Sequence, residues 1–183
     1  MNSKEKISQA VADLDNLTIV KYPDPRLREQ CTEIEEFDDD LRDLAEKMHE
    51  IMFRFKGVGL AAPQVGVTVQ LFLASPEFNP EETYAYVNPR IVASEGAAPG
   101  EEGCLSFPGI YSKVKRAANL TVEYEDLDGV TYQESCSDFH ARIIQHEGDH
   151  LAGTLLVDRM GSVAKLASRK ALAHLEEEFS KKK

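Results

Sequence analysis

The run 146–150 places His146, Glu147 and His150 in an H-E-x-x-H spacing. On an α-helix, residues i and i+4 lie one above the other on one face, about 6 Å apart along the axis at a rise of about 1.5 Å per residue. Two imidazoles so placed can converge on one metal ion. Glu147, on the flank, can then take a proton from a water that the metal activates. The spacing also occurs in unrelated helices, so its surroundings decide. Phe139, Ile143 and Ile144 would give the same helix an apolar face. A buried helix that carries two histidines and an acid is costly unless those groups have a partner. Gly148 works against the helix, at roughly 1 kcal/mol relative to alanine.

Two histidines need a third protein donor. The zinc-protease pattern H-E-x-x-H-x-x-G-x-x-H is matched as far as Gly153, but its last position is Leu156, which cannot bind a metal. A second protease pattern takes a glutamate from a later helix. Glu176, Glu177 and Glu178 are available, but they stand among lysines near the end, where a solvated tail is expected. The stronger donor is upstream: Cys104, preceded by Glu101, Glu102 and Gly103. A thiolate suits zinc, ferrous iron, cobalt or nickel. With His146 and His150 it leaves one coordination position open, as a catalytic metal requires. A structural site closed by a fourth ligand, Cys136 or Cys31, is the alternative.

The segment 57–64 formally fits the dinucleotide fingerprint G-x-G-x-x-A. It follows an amphipathic helix rather than a strand, and no βαβ unit surrounds it, so that reading fails. A glycine-rich edge lets backbone approach a ligand closely, and an extended peptide can pair with it like an added strand. The amide of Gln64 can donate to a developing oxyanion.

These residues must be held by the elements around them. Leu41, Leu44, Ala45, Met48, Ile51, Met52 and Phe55 recur at helical spacing, with Asp40 or a neighbour as cap and Gly57 and Gly59 as the end. Residues 69–74 read as a buried strand, and 83–87 and 90–93 as strands around Asn88-Pro89. Leu120, Val122 and Tyr124 alternate with polar residues, and Asp128-Gly129 turns the chain into a second alternating run, a hairpin. Ser137 or Asp138 starts the helix that carries 146–150, and Gly153 stops it. Ser162 starts a last helix with Leu166, Leu172, Leu175 and Phe179 on its apolar side. Residues 1–15 read as a short amphipathic helix or a loose extension. Strands are grouped rather than interleaved with helices. The expected fold is therefore α+β: antiparallel β-sheets packed around a central H-E-x-x-H helix, with an N-terminal helical part and a C-terminal helix. The length of 183 residues fits one domain, 1–183, with 1–16 as an N-terminal extension.

Composition removes other classes. A net charge of −11 argues against neutralising nucleic-acid phosphates. The acidic run Glu33, Glu35, Glu36, Asp38, Asp39 and Asp40 reads as a solvated face, and the basic tail 181–183 as a frayed end. No run of eighteen apolar residues is present, so no membrane span is expected. The first residues match neither a secretory signal nor a transit peptide, which gives a cytoplasmic expectation. Cys31, Cys104 and Cys136 are odd in number and widely spaced, unlike a disulfide framework.

Segments 57–64, 102–106 and 146–150, in this order, resemble the peptide deformylase family, whose motifs are G-Φ-G-x-A-A-x-Q, E-G-C-Φ-S and H-E-Φ-D-H (Φ apolar). The run 22–27 is similar to the family's N-terminal part, and the resemblance covers about residues 18 to 175. Gly148, where an apolar residue is usual, is the one departure. The resemblance implies removal of the formyl group from the N-terminal formylmethionine of nascent polypeptides, with an activated water attacking the formyl carbon. It makes Cys104, His146 and His150 the metal ligands and Glu147 the general acid/base. Gln64 and the backbone N–H of Leu105 become donors to the formyl oxygen, and Val58, Gly59, Leu60 and Gly103 line the substrate groove. Fe2+ is the implied metal in the cell, with Zn2+, Ni2+ or Co2+ able to replace it. The implied partner is the nascent formyl-Met chain, with room for transient ribosome contact and no direct nucleic-acid or membrane binding. A metallopeptidase is the rival enzyme. Separately, Arg142 precedes His146 by one turn and would be costly to bury unpaired, so a salt bridge to Glu102 is expected.

Overall fold

The computed structural model describes residues 1–181; Lys182 and Lys183 of the basic tail lie outside the described residues. Its helices are α1 (Ser3–Val11), α2 (Asp39–Arg54), α3 (Asp138–Leu151), α4 (Leu156–Arg159) and α5 (Ser162–Ser180). Its strands are β1 (Gly59–Ala61), β2 (Leu71–Ala74), β3 (Tyr84–Glu95), β4 (Ala98–Gly103), β5 (Tyr111–Arg116), β6 (Asn119–Glu125) and β7 (Thr131–Ser137). Five strands form an antiparallel sheet in the order β1-β2-β3-β6-β7, and β4 and β5 pair as a separate two-stranded sheet. The class is α+β, as the grouping of strands implies.

The strand β2 shows how the layers arise. All four of its residues are buried. Successive side chains of a strand point to opposite faces. Leu71 and Leu73 join the cluster of α2 residues Leu41, Leu44, Met48, Ile51 and Met52. Phe72 and Ala74 join Ala141, Ile143, Ile144 and Leu151 of α3. One helix therefore covers each face of the sheet, and α3 is held against it from its first turn to its last.

Asp38, rather than Asp40, caps α2, accepting from the N–H of Leu41; Asp40 lies in the first turn, where an acid suits the helix dipole. The helix α1 is closed by an Asn2–Glu5 capping box and buries Ile7 in the α2 cluster, so the first residues are docked rather than loose. The strands read around Asn88-Pro89 are one strand, β3, with a register shift between Val87 and Arg90. Asn88 takes φ 49° there. Its amide exchanges two 2.8 Å hydrogen bonds with the backbone of Ile34, replacing a strand partner.

The hairpin β6–β7 forms as the alternation requires, with Gly129 at φ 77° and the carboxylate of Asp126 accepting from the N–H groups of Asp128 and Val130. Gly153 at φ 69° ends the α3 region, where a Cβ would stand 2.4 Å from the carbonyl oxygen of Arg28. Two apolar assignments fail. Phe139 is half-exposed because it sits at the edge of a groove, and Leu166 is exposed because α5 meets the body through Ala164, Leu172 and Leu175, which leaves Leu166 on the side turned to solvent.

Candidate active site and metal centre

Helix α3 delivers His146, Glu147 and His150 from its buried C-terminal half. The end of β4 delivers Cys104, one residue beyond Gly103. The ligand atoms of Cys104, His146 and His150 all lie within 4.8 Å of one another, and Cys104 Sγ is 3.3 Å from His150 Nε2. The two rings meet edge-on with centroids 5.2 Å apart. The sequence-predicted donors thus converge. They also fit a cation chemically: a thiol and two imidazoles are the soft and borderline donors that zinc and ferrous iron accept. Within the site, His150 Nδ1 and Glu147 Oε2 are buried without a hydrogen-bond partner among the described residues.

The other histidine is oriented by a carboxylate. Glu102 Oε2 faces His146 Nδ1 at 3.0 Å, and Arg142 Nη1 donates to Glu102 Oε1 at 2.7 Å, the ion pair expected from the sequence. Arg116 was not anticipated. It donates to both Glu102 oxygens at 2.9 Å and to Asp149 at 2.6 Å, and Arg159 Nε donates to Asp149 at 2.8 Å. Burial opposes the charge on Glu102, but the bonds from His146 and Arg116 outweigh it and hold its pKa at about 2. A carboxylate fixed on the rear nitrogen of a ligating histidine sets the tautomer and aims the other nitrogen at the metal.

Glu147 is buried beside the three donors. Desolvation pushes its pKa up to about 7, with neighbouring His146 pulling the other way. Gln64 is also buried. Its Oε1 accepts from Ala61 N–H at 2.9 Å, which turns Nε2 towards Cys104 Sγ at 3.4 Å and Ser106 Oγ at 3.3 Å.

A groove of about 580 Å³ opens onto these groups. Val58, Gly59, Gly103, Leu105, Gln64, Cys104, His146 and Glu147 line it, as do the unpredicted Phe139, Ile143 and Tyr111. Leu60, expected at the groove, points instead into the α2 cluster and is fully buried. Its backbone still belongs to β1, which pairs with β2 and, among the described residues, forms the sheet's edge beside the groove.

Fold and site together define an α+β protein built around a Cys–His–His donor set on an H-E-x-x-H helix. A family model described as polypeptide deformylase matches residues 16–166, and the chain belongs to that family. It is 42% identical over 169 residues to peptide deformylase 1B, chloroplastic/mitochondrial, of Arabidopsis thaliana, covering 91% of this chain and 62% of that protein. It is 42% identical over 147 residues to peptide deformylase of Acidobacterium capsulatum, covering 79% and 86%. A crystal structure of peptide deformylase from Plasmodium falciparum superposes with a TM-score of 0.87 at 39% identity, covering 89% of this chain and 97% of that one. The chain spans 60% to 62% of the length of the plant relatives it matches. Among the described residues no helix is long and apolar enough to cross a membrane.

Proposed function

We propose that residues 1–183 form one catalytic unit, a metal-dependent hydrolase that removes the formyl group from the N-terminal formylmethionine of newly made polypeptides. One observation carries the reading: three metal donors meet beside the buried Glu147 carboxyl at a groove bordered by a strand edge. When bound by Cys104, His146 and His150, a divalent cation supplies Lewis acidity and brings the pKa of a water towards neutrality. By resemblance the cation in the cell is Fe2+; Zn2+, Ni2+ and Co2+ suit the same donors.

Glu147 takes the proton of the attacking water and passes it to the leaving amine as the formyl C–N bond breaks, giving formate and a free N-terminus. A carboxyl pushed up to about 7 is basic enough to accept that proton and acidic enough to return it near neutral pH. Nε2 of Gln64 and the N–H of Leu105 donate to the formyl oxygen as it gains charge. Val58, with Gly59 and Leu60 of β1, presents its backbone to the extended peptide, Gly103 borders it opposite, and the apolar Phe139, Ile143 and Leu105 receive the methionine side chain.

A nascent-chain substrate brings transient contact with the ribosome, without direct binding of nucleic acid. The cytoplasm is the proposed location. The test is formate release from a formyl-Met peptide by the chain loaded anaerobically with Fe2+. Release of formate, with an unformylated peptide left intact, is expected. Backbone cleavage of the unformylated peptide would replace this reading with a metallopeptidase.

A further inference from the structure

A second group of donor side chains lies at the junction of β7 and α3. Glu134 and Cys136 are two apart on β7 and so share a face of the sheet. His140 follows in the first turn of α3. The ligand atoms of Glu134, Cys136 and His140 all lie within 4.8 Å of one another. Behind them, the Tyr86 hydroxyl lies 3.0 Å from Glu134 Oε2 and 3.0 Å from His140 Nε2. A phenol carries one proton, and an ionised carboxylate only accepts. Tyr86 therefore donates to Glu134 and accepts from His140 Nε2–H. In the neutral ring this leaves the lone pair of His140 Nδ1 facing Glu134 Oε1 at 3.7 Å, and the sulfur of Cys136 lies within 4.8 Å of a ligand atom of each residue.

We propose that Glu134, Cys136 and His140 bind a second divalent cation, Zn2+ by the chemistry of a thiolate, imidazole and carboxylate set, with Tyr86 orienting two of the ligands from behind. Zinc bonds to nitrogen and oxygen of about 2.1 Å at a tetrahedral angle place two donors about 3.4 Å apart, close to the spacing of Nδ1 and Oε1. Binding breaks the Cys136 S–H bond: the proton leaves to solvent and the sulfur lone pair forms the Zn–S bond, with no change of oxidation state. The side chains of His140 and Glu134 are 21% and 35% exposed, which gives an ion entry and leaves a fourth position for water. His140 precedes His146 by six residues, about 9 Å along α3 at about 1.5 Å per residue, so this cation would brace the start of the helix that carries the first site. The inference is independent of the hydrolase reading.

The test uses the full chain with Cys104→Ser, in which the first site has lost its sulfur, titrated with Co2+ alone. A near-ultraviolet sulfur-to-cobalt charge-transfer band is expected. It should disappear with added Zn2+ and in Cys104→Ser/Cys136→Ser, and Tyr86→Phe should weaken binding by about 10-fold to 100-fold, the usual effect of losing a group that orients a ligand. No band in a Cys104→Ser chain with unchanged circular dichroism, or a band that survives loss of Cys136, overturns the proposal. If the variants fail to fold, Zn2+ retained by the unsubstituted chain after gel filtration decides: two ions per chain support the second site and one overturns it.

Discussion

A Cβ placed on Gly59 would stand 2.3 Å from Glu147 Oε1, so the edge strand and the helix carboxyl meet across a space that only glycine leaves. Gly59→Ala should push the carboxylate aside without touching Cys104, His146 or His150. Displacement of a catalytic group by about 1 Å costs on the order of 10²-fold in rate. Metal content and formate release, measured together, should show a full site with turnover down by about that factor. Unchanged turnover would mean that the position of Glu147 is immaterial.

Gln64 is held by the Ala61 N–H at one end and aims its Nε2 at the cysteine segment. Gln64→Glu keeps the size and removes the donor. A lost oxyanion donor costs about 10² to 10³ in kcat, and KM should change little. Steady-state kinetics on a formyl-Met peptide separate the two. A fall in affinity alone would make Gln64 a binding residue.

The lowered pKa of Glu102 predicts an acid limit to the stability of the metal-free protein. Its folded pKa of about 2 lies below its usual value of 4.5. Its ionised form therefore contributes stability that is fully present above 4.5 and is lost as pH falls towards 2. Glu102→Gln should flatten that limb of a denaturation-midpoint profile. It should also lower the plateau near neutral pH by about 1 to 3 kcal/mol, because buried Arg116 loses one of its two carboxylate partners and keeps Asp149. An unaltered acid limb would show that the network does not govern acid stability.

Gly148, the one departure from the family motif, is not a packing requirement. A Cβ there meets nothing within 4 Å, although neighbouring Glu147 is buried. Gly148→Ala should stabilise the chain by about 0.5 to 1 kcal/mol through helix propensity, with turnover retained. Urea denaturation measures it, and a destabilised variant would mean that the glycine has a role its surroundings do not reveal.

The donor set was legible in the sequence because its logic is local. An i, i+4 pair fixes two imidazoles on one face, and Cys104 was the donor left once Leu156 had failed. The Glu102–Arg142 pair followed from the cost of burying Arg142 alone. Arg116 was not legible, because it reaches Asp149 from 33 positions away and a charged residue at the end of a half-buried, alternating strand is expected to face solvent. The sheet of β4 and β5 escaped notice since 98–103 contains Pro99, Gly100 and Gly103, residues that are poor strand formers. Leu166 and Phe139 show the opposite failure. Apolar spacing marks a face that can be buried, but whether another element arrives to cover it depends on the tertiary fold.

Iron-edge X-ray absorption on the chain loaded anaerobically with one equivalent of Fe2+ reads the donor set itself. One sulfur and two imidazole nitrogens should surround the iron, and Cys104→Ser should remove the sulfur while leaving the nitrogens. A shell of nitrogen and oxygen alone in the unsubstituted chain, or a sulfur that persists after Cys104→Ser, would contradict the convergence of Cys104, His146 and His150 on one cation.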